Sequence, residues 1–262
     1  MKTINGWIVA AVTSTAMTLG ATSAAAQDEE WEFAISPMYV WAKNVSAVTT
    51  AGGRELPLEL DFQDDILENL DAAFAIHFEA RKGKMTLFAE YNYSKLDPSN
   101  TISQGPITLK ADVDFRENIG EGGITWAIAE SERMRWEAMG GLRYIKQDVR
   151  LRLNSSRPGG QLLPERLSVG DRWLHPFAGG RVIVKMSERW SFRARADYGY
   201  EGSDNTALQG IALFDYRFRD WGSAFFGYRY LDIDFDNGSS RFDQYGFDGD
   251  EQGPAIGLNL YF

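Results

Sequence analysis

The residues most able to act chemically in this sequence are charged residues that recur at every second position. Within residues 190–201, Arg193, Arg195 and Asp197 alternate with apolar and aromatic side chains. A strand turns successive side chains to opposite faces, so these three charges share one face. Opposite charges on facing strands can form ion pairs, or they can line a pore when they stay hydrated.

The same alternation recurs along the chain and predicts a barrel with a charged interior. A charge that faces lipid near the bilayer centre costs about 2–4 kcal/mol, so the charged faces must point inward. A structural salt-bridge network that fills the interior and a narrow hydrated pore both remain open. The residues predicted to face the interior are His77, Glu79, Arg81, Glu90, Asn92, Glu121, Glu137, Arg143, His175, Arg181, Arg193, Arg195, Asp197, Asp215, Arg217, Arg229 and Asn259.

Histidine is the side chain that would act as a catalytic base here, and the sequence has only His77 and His175. His175 is the better candidate because we place it near the outer end of a strand. Nucleophilic catalysis needs a nucleophile within reach of the base. No serine or acid stands at a spacing that singles out such a pair, so we predict no catalytic residues and no enzyme activity.

Aspartates near the carboxyl end form the strongest candidate for a cation site. Asp232, Asp234 and Asp236 precede Asn237 and Gly238. In a calcium loop of the EF-hand type the glycine stands at the sixth position, whereas here it stands at the seventh. We therefore favour a solvated acidic loop over calcium that bridges to lipopolysaccharide phosphates, and we predict no metal and no cofactor.

Composition and the first residues indicate export. Lys2, the apolar stretch 7–19 and the alanines that end at Ala26 are typical of a signal peptide, which gives a signal over residues 1–26 and a barrel domain over 27–262. The net charge of -10 argues against nucleic-acid binding. No cysteine is present, so neither a disulfide nor a thiolate metal site can form.

Short polar turns alternate with longer connections, as in a transmembrane antiparallel up-and-down barrel. The turns fall near 82–84, 130–133, 187–189 and 219–221, and the loops at 44–70, 97–106, 153–170, 201–206 and 236–250. We read 44–70 as a structured loop that contains a turn near Gly52 and one or two helical turns. This pattern predicts ten strands, with twelve or eight as alternatives. The strands are predicted near 31–43, 72–81, 85–96, 110–129, 135–152, 172–186, 190–200, 206–219, 221–235 and 253–262.

The last strand resembles the closing strand and assembly signal of bacterial outer-membrane β-barrels. Ile256, Leu258, Leu260 and Phe262 lie on one face, and the chain stops on the aromatic residue. The resemblance implies that Leu258, Leu260 and Phe262 are recognised by the barrel-assembly machinery.

Three larger segments resemble a family of uncharacterised proteobacterial outer-membrane β-barrel proteins, of the porin-family and OmpA/OmpW-like small-barrel kind. They are residues 61–84, residues 173–180, and residues 226–231 together with 253–262. The resemblance implies a single-chain outer-membrane barrel and no particular substrate.

These observations predict an integral outer-membrane protein with porin-like passive diffusion of small solutes or a structural role. A soluble exported ligand-binding barrel is the alternative, and a lipid-modifying enzyme comes third. We expect contact with outer-membrane lipids and lipopolysaccharide, no nucleic-acid partner, and a monomer.

Overall fold

The computed structural model describes residues 30–51, 53–97, 99–104, 107–156, 166–239 and 243–262. The predicted signal peptide and its cleavage near Ala26 lie outside these residues. The described chain is almost entirely antiparallel β-structure. Its strands are β1 (Glu32–Ser36), β2 (Tyr39–Trp41), β3 (Asn44–Ala51), β4 (Arg54–Leu60), β5 (Leu70–Lys82), β6 (Met85–Leu96), β7 (Ser99–Gln104), β8 (Ile107–Glu130), β9 (Met134–Ser156), β10 (Arg166–Lys185), β11 (Trp190–Tyr200), β12 (Asn205–Arg219), β13 (Gly222–Asp236) and β14 (Tyr245–Tyr261).

Ten positions make up the closed wall. Strands β5, β6 and β8 to β14 pair with their neighbours in chain order, and β1 pairs with both β5 and β14 to close the ring. β1, β2 and β3 share the first position, because each pairs with a successive part of β14. β4 and β7 lie outside the wall as partners of β3 and β8. The predicted ten-stranded barrel is therefore confirmed.

The short connections all lie at one end of the barrel, which we call the turn side. They comprise residues 83–84, 131–133, 186–189 and 220–221. The opposite end, the loop side, carries the other connections, among them residues 201–204 and the described residues 237–239 and 243–244. This arrangement agrees with the predicted alternation of short turns and longer loops.

The interpretation of residues 44–70 as a loop outside the wall was wrong for their first part. β3 continues the wall by pairing with residues 245–252 of β14, and β4 then turns back along it. The inward side chains Val45 and Ala47 are buried, which explains why this strand stays on the barrel. The expected helical turns are present as a short π-helical segment, Phe62–Leu67, with Asp61 as its N-cap.

The outer surface is apolar and carries aromatic side chains toward both ends. Trp126, Trp136, Trp190 and Trp221 are exposed near the short turns, whereas Tyr91, Tyr198 and Tyr228 are exposed nearer the loop side. Large aliphatic and phenyl groups are exposed between them: Leu87, Ile124, Leu142, Phe214, Phe226, Ile256 and Leu258. An apolar band between aromatic girdles is the surface that a β-barrel presents to lipid. No helix in the described ranges has the length and apolar character needed to cross a membrane.

The carboxyl-terminal strand closes the barrel. Leu260 pairs with Ile35 of β1, and Phe33 and Phe262 exchange backbone hydrogen bonds of 3.0 and 3.1 Å. Leu258 and Phe262 are exposed on the outer face. Their recognition by the assembly machinery stays a prediction.

Candidate functional site in the barrel interior

A central network of three arginines and three carboxylates crosses the middle of the barrel. Glu121 is its hub: Arg143 Nε donates to Oε1 over 2.8 Å, and Arg195 Nη2 donates to Oε2 over 2.8 Å. Asp197 accepts from the same two arginines at 2.6 and 2.7 Å. Arg229 joins Glu121 to Glu90. We call these six residues the central network.

Burial makes the charge balance of the central network important. The side chains of Glu121, Arg143 and Asp197 are 0% exposed, and an isolated charge in such a place would be very costly. Equal numbers of positive and negative groups remove that cost in part. Two aromatic rings also contact the cations. Arg143 and Arg195 each lie within 5.2 Å of the centre of the Phe177 ring, and Arg195 lies 5.3 Å from the centre of the Phe88 ring.

A second ion-pair group, the lower network, lies between the central network and the turn side. Arg181 Nε donates to Glu137 over 2.6 Å, and its Nη1 donates to Glu79 over 2.6 Å. Arg193 also reaches Glu79 at 3.0 Å. His77 connects the two networks, because its ring nitrogens lie 3.0 Å from Glu90 and 3.1 Å from Glu79. A small cavity of about 110 Å³ lies between these groups.

Four of the other predicted interior residues, Arg81, Asp215, Arg217 and Asn259, lie near the turn-side mouth. Asp215 accepts hydrogen bonds from Ser223 and Asn259 at 2.6 and 2.8 Å. Arg217 is exposed and stacks on Tyr261, and Arg81 forms an ion pair with exposed Glu32. Asn92 lies deeper and accepts from Tyr39 at 2.8 Å. The mouth opens into a wide vestibule of about 810 Å³, lined by Arg81, Asp215 and Arg217 among others.

An apolar layer fills the interior on the loop side of the central network. Trp173 and Phe235 stack with ring centres 4.0 Å apart. The other fully or nearly fully buried members of the layer include Ile119, Ile145, Leu231, Ile233 and Phe247. Ile66 of the helical segment packs into the same cluster. Sequence reasoning missed this layer because its residues share the face that we identified by its charges.

Sequence reasoning also missed a third polar group beside the apolar layer. Lys43 forms ion pairs with Glu117 and Glu251, and Glu117 accepts from Gln147 over 2.8 Å. Tyr245 donates to Gln147 over 2.7 Å. The sequence did indicate that Glu117 faces the interior, because it lies four residues before Glu121 and therefore on the same face of β8.

The structure places His175 differently from the sequence interpretation. It lies in the middle of β10 and pairs with Arg143 of β9, rather than at an outer strand end. Its side chain is completely buried, and neither ring nitrogen has a hydrogen-bond partner among the described protein groups. The strand is longer toward the loop side than we predicted, since β10 begins at Arg166.

Aspartates form an acidic patch on the outer face of β13 and β14, beyond Tyr228 toward the loop side. Asp232 stands opposite Asp250, and Asp234 stands opposite Asp248. Burial and then the charge of Asp248 raise the pKa of Asp234 above its ordinary value. Asp234 and Asp248 therefore repel each other across the paired strands. The described residues contain no cluster with the arrangement of a metal site.

We expect Asp234→Asn to stabilise the folded protein at neutral pH by up to about 1 kcal/mol, the usual range for opposed side chains on paired strands. A carboxyl with a raised pKa destabilises the fold as the pH rises through that pKa. The gain should therefore disappear once the pH falls below the ordinary pKa of aspartate. Unfolding in urea at several pH values measures it, with Asp220→Asn in an exposed turn as the control. An equal gain at low pH would contradict electrostatic repulsion as the cause.

Comparison with known proteins identifies the fold. No protein-family model and no curated protein matches the sequence. Among solved structures, the outer membrane protease OmpT from Escherichia coli matches with a TM-score of 0.60 and 10% identity, covering 90% of this chain and 98% of that chain. Ail, the attachment invasion locus protein of Yersinia pestis, matches with a TM-score of 0.34 and 11% identity, covering 90% of this chain and 100% of that chain. The likeness to OmpT shows that the chain has the fold of outer-membrane β-barrel proteins.

Proposed function

We propose that the chain is an integral outer-membrane protein whose barrel does not conduct small solutes. Its function then depends on the outer surface of the barrel wall and on the connections at the loop side. The apolar outer band and the charged interior support membrane residence, because a soluble ligand-binding barrel would have the opposite polarity. The fold shared with outer-membrane proteins supports the same location.

The observation that carries the proposal is the closure of the interior by two consecutive layers. Arg143 and Glu121 are completely buried in the central network, so no water-accessible path runs along them. In the adjacent apolar layer, Ile145 and Leu231 are also 0% exposed. A solute would have to break ion pairs and then cross an apolar barrier, which argues against free diffusion.

Conductance of the refolded protein in a planar bilayer tests the proposal. We expect no steady single-channel current from the wild type, because both layers are closed. We expect Arg195→Ala to stay silent as well, because that change leaves the apolar layer intact. Folding of each sample is checked by circular dichroism and by its mobility shift on unheated gels.

Two results would contradict the proposal. A steady current in the wild type, with ion selectivity that moves toward cations in Arg195→Ala, would establish a water-filled interior and the porin-like alternative. Failure of the folded barrel to float with lipid vesicles would support the soluble alternative instead.

A further inference from the structure

The wall has a gap on the loop-side half of the seam between the first strand position and β5. β1 pairs with β5 only from Glu32–Ser36 to His77–Arg81. Beyond that point β2 pairs with β14 alone, and the β5 segment 70–76 pairs with β6 alone. Pro37 stands at the break, where it has no N–H to donate. We call the space between residues 38–43 and 70–75 the lateral slot.

The lateral slot opens through the apolar outer surface. Met38 and Val40 on one rim and Phe74 on the other are 68%, 52% and 43% exposed. Val40 pairs with Ile256, which belongs to the exposed apolar band. The opening therefore lies within the part of the surface that faces lipid.

Behind the opening lies a cavity of about 290 Å³ with mostly apolar walls. The cavity is left open because nearby side chains such as Ala73 and Ala75 are small. Leu70, Leu96 and Ile119 form its inner wall. The ionised group that lines it, Lys43 with Glu117, is already satisfied by ion pairing. The cavity thus offers apolar surface without a free cation for an anionic head group.

The rims of the lateral slot also carry backbone peptide groups that need hydrogen-bond partners. Peptide groups of β5 that point away from β6 over residues 70–76 have no strand partner in the described ranges. An open sheet edge in contact with hydrocarbon alone is unfavourable, because its N–H groups need acceptors. An amphiphile with ester oxygens at one end and a hydrocarbon chain satisfies both requirements.

We propose that the lateral slot binds one acyl chain of a membrane glycerophospholipid, with the chain in the cavity and the ester oxygens accepting hydrogen bonds at the rims. A surrounding bilayer would supply acyl chains at the apolar surface through which the slot opens. The inference rests on the proposed membrane location and goes beyond it, because it assigns a ligand and a place for it.

The test counts bound lipid. The mature chain is refolded into vesicles of phosphatidylethanolamine and phosphatidylglycerol, extracted in mild detergent and weighed by native mass spectrometry. We expect one retained phospholipid on most wild-type barrels. Ala73→Trp fills the cavity and should reduce the lipid-bound fraction at least tenfold. Ala89→Trp is the matched control, because Ala89 is exposed on the outer face of β6, away from the slot, and it should retain the lipid.

The outcomes separate this inference from the proposed function. Equal lipid retention in the wild type and in Ala73→Trp would overturn it, and so would wild-type barrels without retained lipid. A bound polypeptide in place of lipid would overturn it in favour of strand addition at the β5 edge. Should Ala73→Trp fail to fold, Val40→Trp narrows the slot from the other rim and carries the same expectation. Failure to insert into vesicles would instead refute the membrane location.

Discussion

Glu121→Gln is expected to lower the free energy of unfolding by about 3–5 kcal/mol, the usual cost of removing one partner from a buried ion pair. The carboxylate of Glu121 contacts Arg143, Arg195 and Arg229. The neutral amide keeps the size of the side chain, so the loss comes from the unbalanced positive charge left in the barrel. Denaturant unfolding from lipid vesicles measures the change.

Charge balance can be separated from loss of particular contacts by a second substitution. Glu121→Gln combined with Arg195→Gln restores equal numbers of opposite charges, and we expect the double variant to lose less stability than the two single variants added together. Glu32→Gln is the exposed control, because its ion pair with Arg81 lies at the mouth and should contribute only about 0–1 kcal/mol. Additive losses in the double variant would show that the central network does not act as a unit.

The architecture was predictable from sequence because its physical signals are local. The period of two fixes which side chains share a face, and the short turns near Gly83 and Asp220 fix which strands are neighbours. Both signals can be recognised within a sequence window of about 25 residues, the length of one hairpin. Ten strands, the closed antiparallel order and the charged inner face of residues 193–197 all follow from them.

The closure of the interior could not be predicted from the sequence, because it depends on the position of each inward side chain along the barrel axis. Arg229 contacts Glu90 across 139 residues of chain, and only the tilt of the strands brings the two to one level. The lateral slot was equally hidden. Pro37 signals a weak edge, yet the separation of β2 from β5 also depends on β3 continuing along β14 and on β4 pairing with β3.

Gly199→Ala is expected to destabilise the barrel by about 1–3 kcal/mol, the usual cost of overpacking a well-packed interior. A Cβ atom at Gly199 would lie 2.1 Å from His175 Cδ2 and 2.6 Å from its Nε2. His175 is completely buried, so its ring cannot move away without displacing its neighbours. The same denaturant experiment measures the loss. Gly210→Ala is the control, because a Cβ atom there meets nothing within 4 Å.

The cause of this loss can be tested by removing the ring. In a His175→Ala background the space beside Gly199 is free, so the additional cost of Gly199→Ala should vanish even though His175→Ala has its own cost as a cavity. That result would assign His175 a packing role, which depends on the absence of a side chain at Gly199. An undiminished cost in the His175→Ala background would show that the backbone of β11, rather than contact with the imidazole, requires glycine at this position.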